Sequence, residues 1–267
     1  MSNNLKLPNF LCPLEETELS RVGKENDGGY LIPKKSINQT KILYSFGLSD
    51  DWSFESEFYN KSNAKVICYD LSVNWKFWVN KLFRDLKNIF FLKIKNLNQI
   101  YNIFSYLSYK IFFDGINKIH VKKYILPIGT LISGIKKEDV TDLKSLLNKS
   151  SSKNIFFKID IEGNEYKILD QLIEYQSCMT GLAIEFHDCD LHQDKIKNFI
   201  ENFDLQLVHL HVNNWGSVNQ NRFPSTLELT FSPKEFNTMT DKKKKFPTSL
   251  DYPNNPLFPD LPIEFGN

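Results

Sequence analysis

Two short runs end in acids and an imidazole. Asn154 to Tyr166 reads NIFFKIDIEGNEY, and Gly181 to Asp188 reads GLAIEFHD. Asp160 and Glu162 follow the first apolar run, while Glu185, His187 and Asp188 close the second. Carboxylates beside an imidazole are tools of proton transfer at neutral pH, because histidine titrates there and a neighbouring acid can orient its ring. A run of Ile and Phe with a single Lys is the pattern of a strand buried on both faces of a parallel sheet, and in such sheets ligands bind outside the carboxyl ends of the strands. Two adjacent strand ends are therefore expected to bring these five side chains to one rim. Gly163 lets the chain turn before an acidic helix start at Asn164 and Glu165.

A second constellation lies upstream. Lys41 to Phe46 reads as a buried strand, followed by Gly47, Ser49, Asp50, Asp51 and Ser53. A strand, a glycine and small polar residues at a helix start allow close backbone approach and present free N–H groups to a cofactor. The three-glycine fingerprint of a dinucleotide site is absent, which weighs against NAD and FAD. Val66 to Asp70 is the next strand; it ends in an acid about 20 residues beyond the loop, where a carboxylate can take ribose hydroxyls or else cap a helix. Further on, LQLVHLHV over Leu205 to Val212 sets His209 and His211 on one face, with Asn213, Asn214 and Trp215 at the tip. His209 is expected to be a core histidine and His211 to rival His187 as a base. Asn213 and Asn214 are expected either to bind substrate hydroxyls or to cap the turn. Asp160, Glu185, His187, Asp188, Asp190 and His192 could also ligate Mg²⁺ or Mn²⁺, but EFHDCDLH matches no defined ligand spacing, so no metal is expected.

The elements that must position these groups alternate. Amphipathic helices are expected over Asn164–Tyr175 and Asp194–Phe203, a short helix over Val140–Asn148, and further strands over His120–Leu126 and Ser225–Phe231. This argues for one α/β domain over residues 1–267 with a doubly wound sheet. Residues 1–40 are a lead-in that includes an Asp27-Gly28-Gly29 hairpin between Arg21 and Pro33, and residues 241–267 are an extended Pro-rich tail. Leu71 to Lys118 is longer than a crossover requires and rich in aromatics. Two inserted helices are expected there, packed as core or as the face of a homodimer, with a lid over the acceptor or a membrane-surface helix less favoured because the lysines show no clean basic face. A net charge of +1 supplies no field for nucleic acid, and Lys242 to Lys245 reads as a solvated loop. No secretory signal or membrane span is visible, and four cysteines without CxxC spacing fit a cytoplasmic protein.

In order, YSFGLSDDWSFE, VICYD, FFKIDIEGNEYKIL, LAIEFHD and HLHVNNWG resemble the FkbM-type S-adenosylmethionine-dependent methyltransferases over about Arg21 to Pro233, with KIDIEG the most specific piece. The resemblance implies a Rossmann-like class I fold: a mostly parallel seven-stranded sheet with helices on both faces, here with a helical insertion after the second strand. It implies S-adenosylmethionine as cofactor and S-adenosylhomocysteine as product, with Gly47, Ser49, Asp50 and Ser53 near the methionine part, Asp70 on the ribose and Asp160 near the sulfonium. Arg21 and Asp27 match the upstream motif and are expected to close over the pocket. The implied reaction is O-methylation of a sugar or nucleotide-linked sugar, such as a heptose of a bacterial capsule or lipopolysaccharide. His187 is the expected base with Asp160, Glu162 and His211 as further catalytic candidates, and Glu185, Asp188, Asn213 and Asn214 are expected to face the substrate. The alternative is a non-catalytic S-adenosylmethionine- or glycan-binding protein of the same fold.

Overall fold

The computed structural model describes residues 4–14, 18–90, 104–130, 133–148, 153–236 and 245–266. The strands are β1 (Leu5–Pro8), β2 (Leu19–Val22), β3 (Tyr30–Pro33), β4 (Ile42–Phe46), β5 (Lys65–Tyr69), β6 (Lys118–Val121), β7 (Tyr124–Ile125), β8 (Val140–Thr141), β9 (Ile155–Ile159), β10 (Met179–Phe186), β11 (Gln206–Val212), β12 (Leu227–Ser232) and β13 (Ile263–Gly266). The α-helices are α1 (Lys34–Gln39), α2 (Ser53–Ser62), α3 (Trp75–Phe90), α4 (Ser105–Phe112), α5 (Leu143–Leu147), α6 (Leu169–Glu174) and α7 (Gln193–Asn202).

Seven strands form one sheet in the order β11-β12-β10-β9-β4-β5-β6. β12 runs antiparallel to both of its neighbours, and the remaining pairings are parallel. This is the mostly parallel seven-stranded Rossmann-like sheet of the class I fold. From β4 the chain winds outward to β5 and β6, then returns to β9 on the other side. The carboxyl ends of β4 and β9 therefore flank the topological switch point, where such sheets open a ligand cleft.

The strands are buried for the reason their sequences suggest. All five residues of β9 and all eight of β10 are buried, as befits central strands covered on both faces. Their period of two divides the side chains. Ile155, Phe157 and Ile159 join one apolar cluster with Leu182, Ile184, Phe186, Leu227, Leu229 and Phe231, whereas Phe156 and Ala183 face another under α2 and β3. The alternate positions on that second face are not all apolar. They hold Ser45, Lys158, Glu185, Glu228, His209 and His211, all buried. Register pairs Glu185 with Glu228 and Glu228 with His211, so three ionisable side chains stand in a row across β10, β12 and β11.

Several element boundaries differ from expectation. The third strand of the sheet begins at Lys118 and ends at Val121, and β7 leaves the sheet to pair with β8. The helix expected from Asn164 is a 3₁₀ turn at Glu165–Lys167 followed by α6. The tail is not merely extended, because β13 pairs parallel with β1. The insertion carries α3 and α4 as expected, while residues 91–103 between them lie outside the described residues. Its aromatics are divided between core and surface. Trp78, Tyr109 and Phe112 are buried, but Trp75, Phe83, Phe104, Leu107 and Ile111 are exposed.

Candidate functional site

At the switch point the loop after β4 and the end of β9 are in intimate contact. Gly47 has φ +85°, and a Cβ there would fall 1.7 Å from the Asp160 carbonyl oxygen, so only glycine fits. Lys158 reaches across from β9, its Nζ donating to the Gly47 carbonyl at 3.0 Å and lying 3.4 Å from Asp160 Oδ2. Burial opposes its charge, but Asp160, Glu55 and Glu185 outweigh this and raise its pKa. This buried ammonium went unremarked as a site residue; the signal was a lone charge in an otherwise apolar strand.

Two hollows, both lined by Gly47, Asp70 and Asp160, flank this contact. One, about 290 Å³, is lined by Gly47, Tyr69, Asp70, Tyr124, Leu126 and Asp160 among others. The other, about 360 Å³, includes Asp27, Ser49, Asp50, Lys158, Asp160 and Glu162. Asp70 is shared by both but is not a free ribose acceptor. Its Oδ2 accepts from the Leu48 and Ser49 amides at 2.9 and 3.1 Å, and its Oδ1 accepts from the Ser72 amide and hydroxyl at 2.7 and 2.6 Å. Burial would raise its pKa, yet these four hydrogen bonds bring it below the usual value. Asp50 lines the hollow while its carboxylate pairs with Lys81 at 2.8 Å and stands 3.8 Å from Arg84. The Ser53 hydroxyl, at the first position of α2, is buried without a hydrogen-bond partner among the described residues, and Ser53 lines neither hollow.

Part of the expected acid rim comes together. One atom each of Asp160, Glu185 and His187 lie within 4.8 Å of one another, and the same holds for Asp27, Glu185 and Glu228. Either group could receive a divalent cation. Asp188 is exposed and belongs to neither group, nor do Asp190 and His192. Glu162 is 86% exposed and its Oε2 stands 3.5 Å from His187 Nε2.

His187 stands among three carboxylates, of which Glu165 is the nearest. Its Nδ1 faces Glu165 Oε1 at 3.2 Å, and its Nε2 stands 3.5 Å from Glu185 Oε1. Glu165, fully buried in the turn after Gly163, also accepts from the Ile161 and Gly163 amides. Burial pulls the His187 imidazole down, but Glu165, Glu185 and Asp160 reverse this and set its pKa at about 9. The expectation of a neutral ring at pH 7 gives way, because the carboxylates around it stabilise the imidazolium. Burial, with Asp160 and Glu228 adding repulsion and His187 opposing, pushes Glu185 well above the usual carboxylate range.

Other candidates are committed elsewhere. Both nitrogens of His211 are engaged, Nδ1 with Glu228 at 3.0 Å and Nε2 with Asp260 at 2.9 Å, inside the protein. Burial lowers its pKa but these two carboxylates lift it to about 10, so the ring is a cation locking the tail to the sheet. His209 pairs with Asp251 of the tail at 2.9 Å, as a core histidine with a partner should. Asn213 donates to Glu185 at 3.0 Å and accepts from the Trp215 amide. Asn214 is bonded to Asn255 in both directions. Arg21 donates to the Lys24 and Asn26 carbonyls and so braces its own hairpin, whereas Asp27 lines the hollow and accepts from Asn254. Tyr30, whose hydroxyl donates to Glu185 at 3.3 Å, Glu228 and Asn254 complete the rim.

Solved structures to which this chain is similar include methyltransferases. M. capricolum TrmK, in complex with S-adenosylhomocysteine, matches with TM-score 0.38 and 11% identity over 75% of this chain and 66% of that one. An rRNA methylase from Streptococcus thermophilus gives the same score and identity over 75% and 92%. Precorrin-6y C5,15-methyltransferase from Geobacter metallireducens gives 0.33 and 9% over 74% and 83%. No family model matches the chain, and no curated relative matches it. The class I fold follows from strand order and the antiparallel β12; a substrate does not follow from likenesses of this degree.

Proposed function

We propose that the chain binds S-adenosylmethionine at the β4–β9 switch point and methylates a sugar hydroxyl, as in a nucleotide-linked capsule or lipopolysaccharide sugar. The observation that carries this reading is the cleft itself: a glycine pressed onto the Asp160 carbonyl, open hollows on both sides, and the Glu185–His187 rim adjoining Asp160. When bound, S-adenosylmethionine supplies an electrophilic methyl carbon on a sulfonium.

The roles of the chain's own residues follow from charge and position. Gly47 and the Ser49–Ser53 loop would hold the methionine part. Asp70 would act mainly by fixing the Leu48 and Ser49 amides, with Tyr69, Tyr124 and Leu126 offering apolar wall to an adenine. Asp160 would complement the sulfonium charge. An attacking hydroxyl must lose its proton. His187 accepts it once its own proton is gone, and Glu185, 3.5 Å away with a raised pKa, is the second resting place. The near-zero net charge supports a small acceptor over nucleic acid.

Calorimetric titration with S-adenosylhomocysteine, followed by a labelled-methyl assay over a panel of nucleotide sugars, tests the proposal. Binding that disappears in Asp70→Ala and label recovered in a sugar are expected. Absence of binding defeats the reading, and binding without transfer to any sugar returns the chain to the non-catalytic alternative.

A further inference from the structure

The 16-residue helix α3 presents three different faces. Trp78, Lys81 and Asp85 point inward. Trp75, Val79, Leu82, Phe83 and Leu86, spaced i, i+4, i+7, i+8 and i+11, form one apolar stripe and are all exposed, Trp75 and Phe83 at 67% each. Beside the stripe at helical spacing stand Lys76, Arg84 and Lys87, also exposed. The helix has a single carboxylate, Asp85, which is buried against Lys81 at 3.6 Å. α4 continues the surface with Phe104 at its N-cap and then Leu107, Ile111 and Lys110, and it has no acid. Between the two helices lies a hollow of about 420 Å³ walled by Trp75, Trp78, Val79, Leu82, Phe104 and Leu107.

An apolar stripe with Trp and Phe, bordered by cations and free of exposed acids, has the form of a helix that lies in a bilayer surface. No helix among the described residues is long and apolar enough to span one. Arg84 is turned to Asp50 and Asp85 at 3.8 and 3.7 Å. We propose that the α3–α4 face docks the protein on an anionic membrane, with the stripe in the headgroup–acyl boundary and Lys76, Lys87 and Lys110 against lipid phosphates. Charge selects this occupant over a second copy of the chain. A two-fold contact through α3 and α4 would set these cations against their own equivalents with no exposed helix carboxylate to answer them. The docking face is tied to the cleft, because Lys81 on the inner side of α3 holds Asp50 of the loop after β4 at 2.8 Å. The sequence alone showed scattered lysines; burial of Asp85 is what leaves the exposed charge of α3 cationic.

Vesicle co-sedimentation tests this independently of the methyl-transfer reading. The intact chain is mixed with vesicles of phosphatidylcholine alone or with 30% phosphatidylglycerol, in low and high salt, and its mass is measured by sedimentation. Binding to the anionic vesicles only, weakened by salt and reduced at least tenfold by either Phe83→Asp or the charge reversal Lys76→Glu/Lys87→Glu, is expected. These residues are exposed, so circular dichroism of the variants should match the parent. Failure to bind anionic vesicles, equal binding to neutral ones, or a dimer abolished by Phe83→Asp would overturn the proposal.

Discussion

Lys158 donates from Nζ to the carbonyl oxygen of Gly47 at 3.0 Å, joining the middle of the central strand to the loop that follows its neighbour. The contact spans the switch point of the sheet, so the cleft floor is fixed by a buried cation as well as by backbone pairing. Asp160, Glu55 and Glu185 depend on that cation for charge balance.

Replacing Lys158 with Met should therefore cost more than the loss of one hydrogen bond. Removing one partner of a buried ionic group leaves carboxylates uncompensated, at about 3–5 kcal/mol. Urea unfolding at pH 7 is expected to show a loss of that size, and the double variant Lys158→Met/Asp160→Asn should recover part of it.

Gly47→Ala is expected to damage both fold and binding. Its methyl would collide with the Asp160 carbonyl, and its φ of +85° is strained for any residue with a Cβ. The strain alone is about 1–3 kcal/mol. A lowered melting temperature together with loss of S-adenosylhomocysteine binding in calorimetry is the expected outcome; an unchanged affinity would remove the loop from the site.

His187 sets the expected pH dependence of turnover. Its folded pKa of about 9 lies above the ordinary 6.5, so the ring is charged at neutral pH and gains its role as proton acceptor as that proton leaves. The logarithm of kcat/KM should rise with pH and level off near 9, and His187→Gln should remove the rise and lower the rate by roughly 10²–10⁴-fold. The stability that His187 gains from Glu165 runs the other way. It is complete below 6.5 and fades as pH climbs through 9.

The tail should respond to His211 over a neighbouring window. A pKa raised from 6.5 to about 10 means that its bonds to Asp260 and Glu228 contribute fully below 6.5 and are lost as pH rises through 10. Limited proteolysis at pH 7 and pH 10 should show cleavage within residues 245–266 increasing with pH. In Asp260→Asn that cleavage should already be fast at pH 7.

The strands that build the cleft were legible one by one. IFFKI, AIEF and LELTF each show burial on both faces, and the acids at the ends of the first two point to a rim at their carboxyl ends. Period two also sets His209 and His211 on one face of their strand; that Lys158, Glu185 and Glu228 share this face follows from strand register. The partner of each was not legible. Glu165 meets His187 from a 3₁₀ turn where the sequence predicts an α-helix, a contact between residues 22 apart that local periodicity does not encode.

By itself, then, the sequence determined the strands that build the cleft and pointed acids, a histidine and a lone glycine loop to one end of the sheet, while β13 and the β7–β8 pair were not expected from it. Local periodicity encodes the former, since side-chain direction follows from backbone repeat alone. Only the tertiary structure decided that His211 is sealed by Asp260, that Asp70 holds the loop amides, that Asp85 is hidden and that the α3 stripe is bare. Those outcomes rest on strand register and on where a tail 49 residues away lies down, and neither is written in the spacing of neighbouring residues.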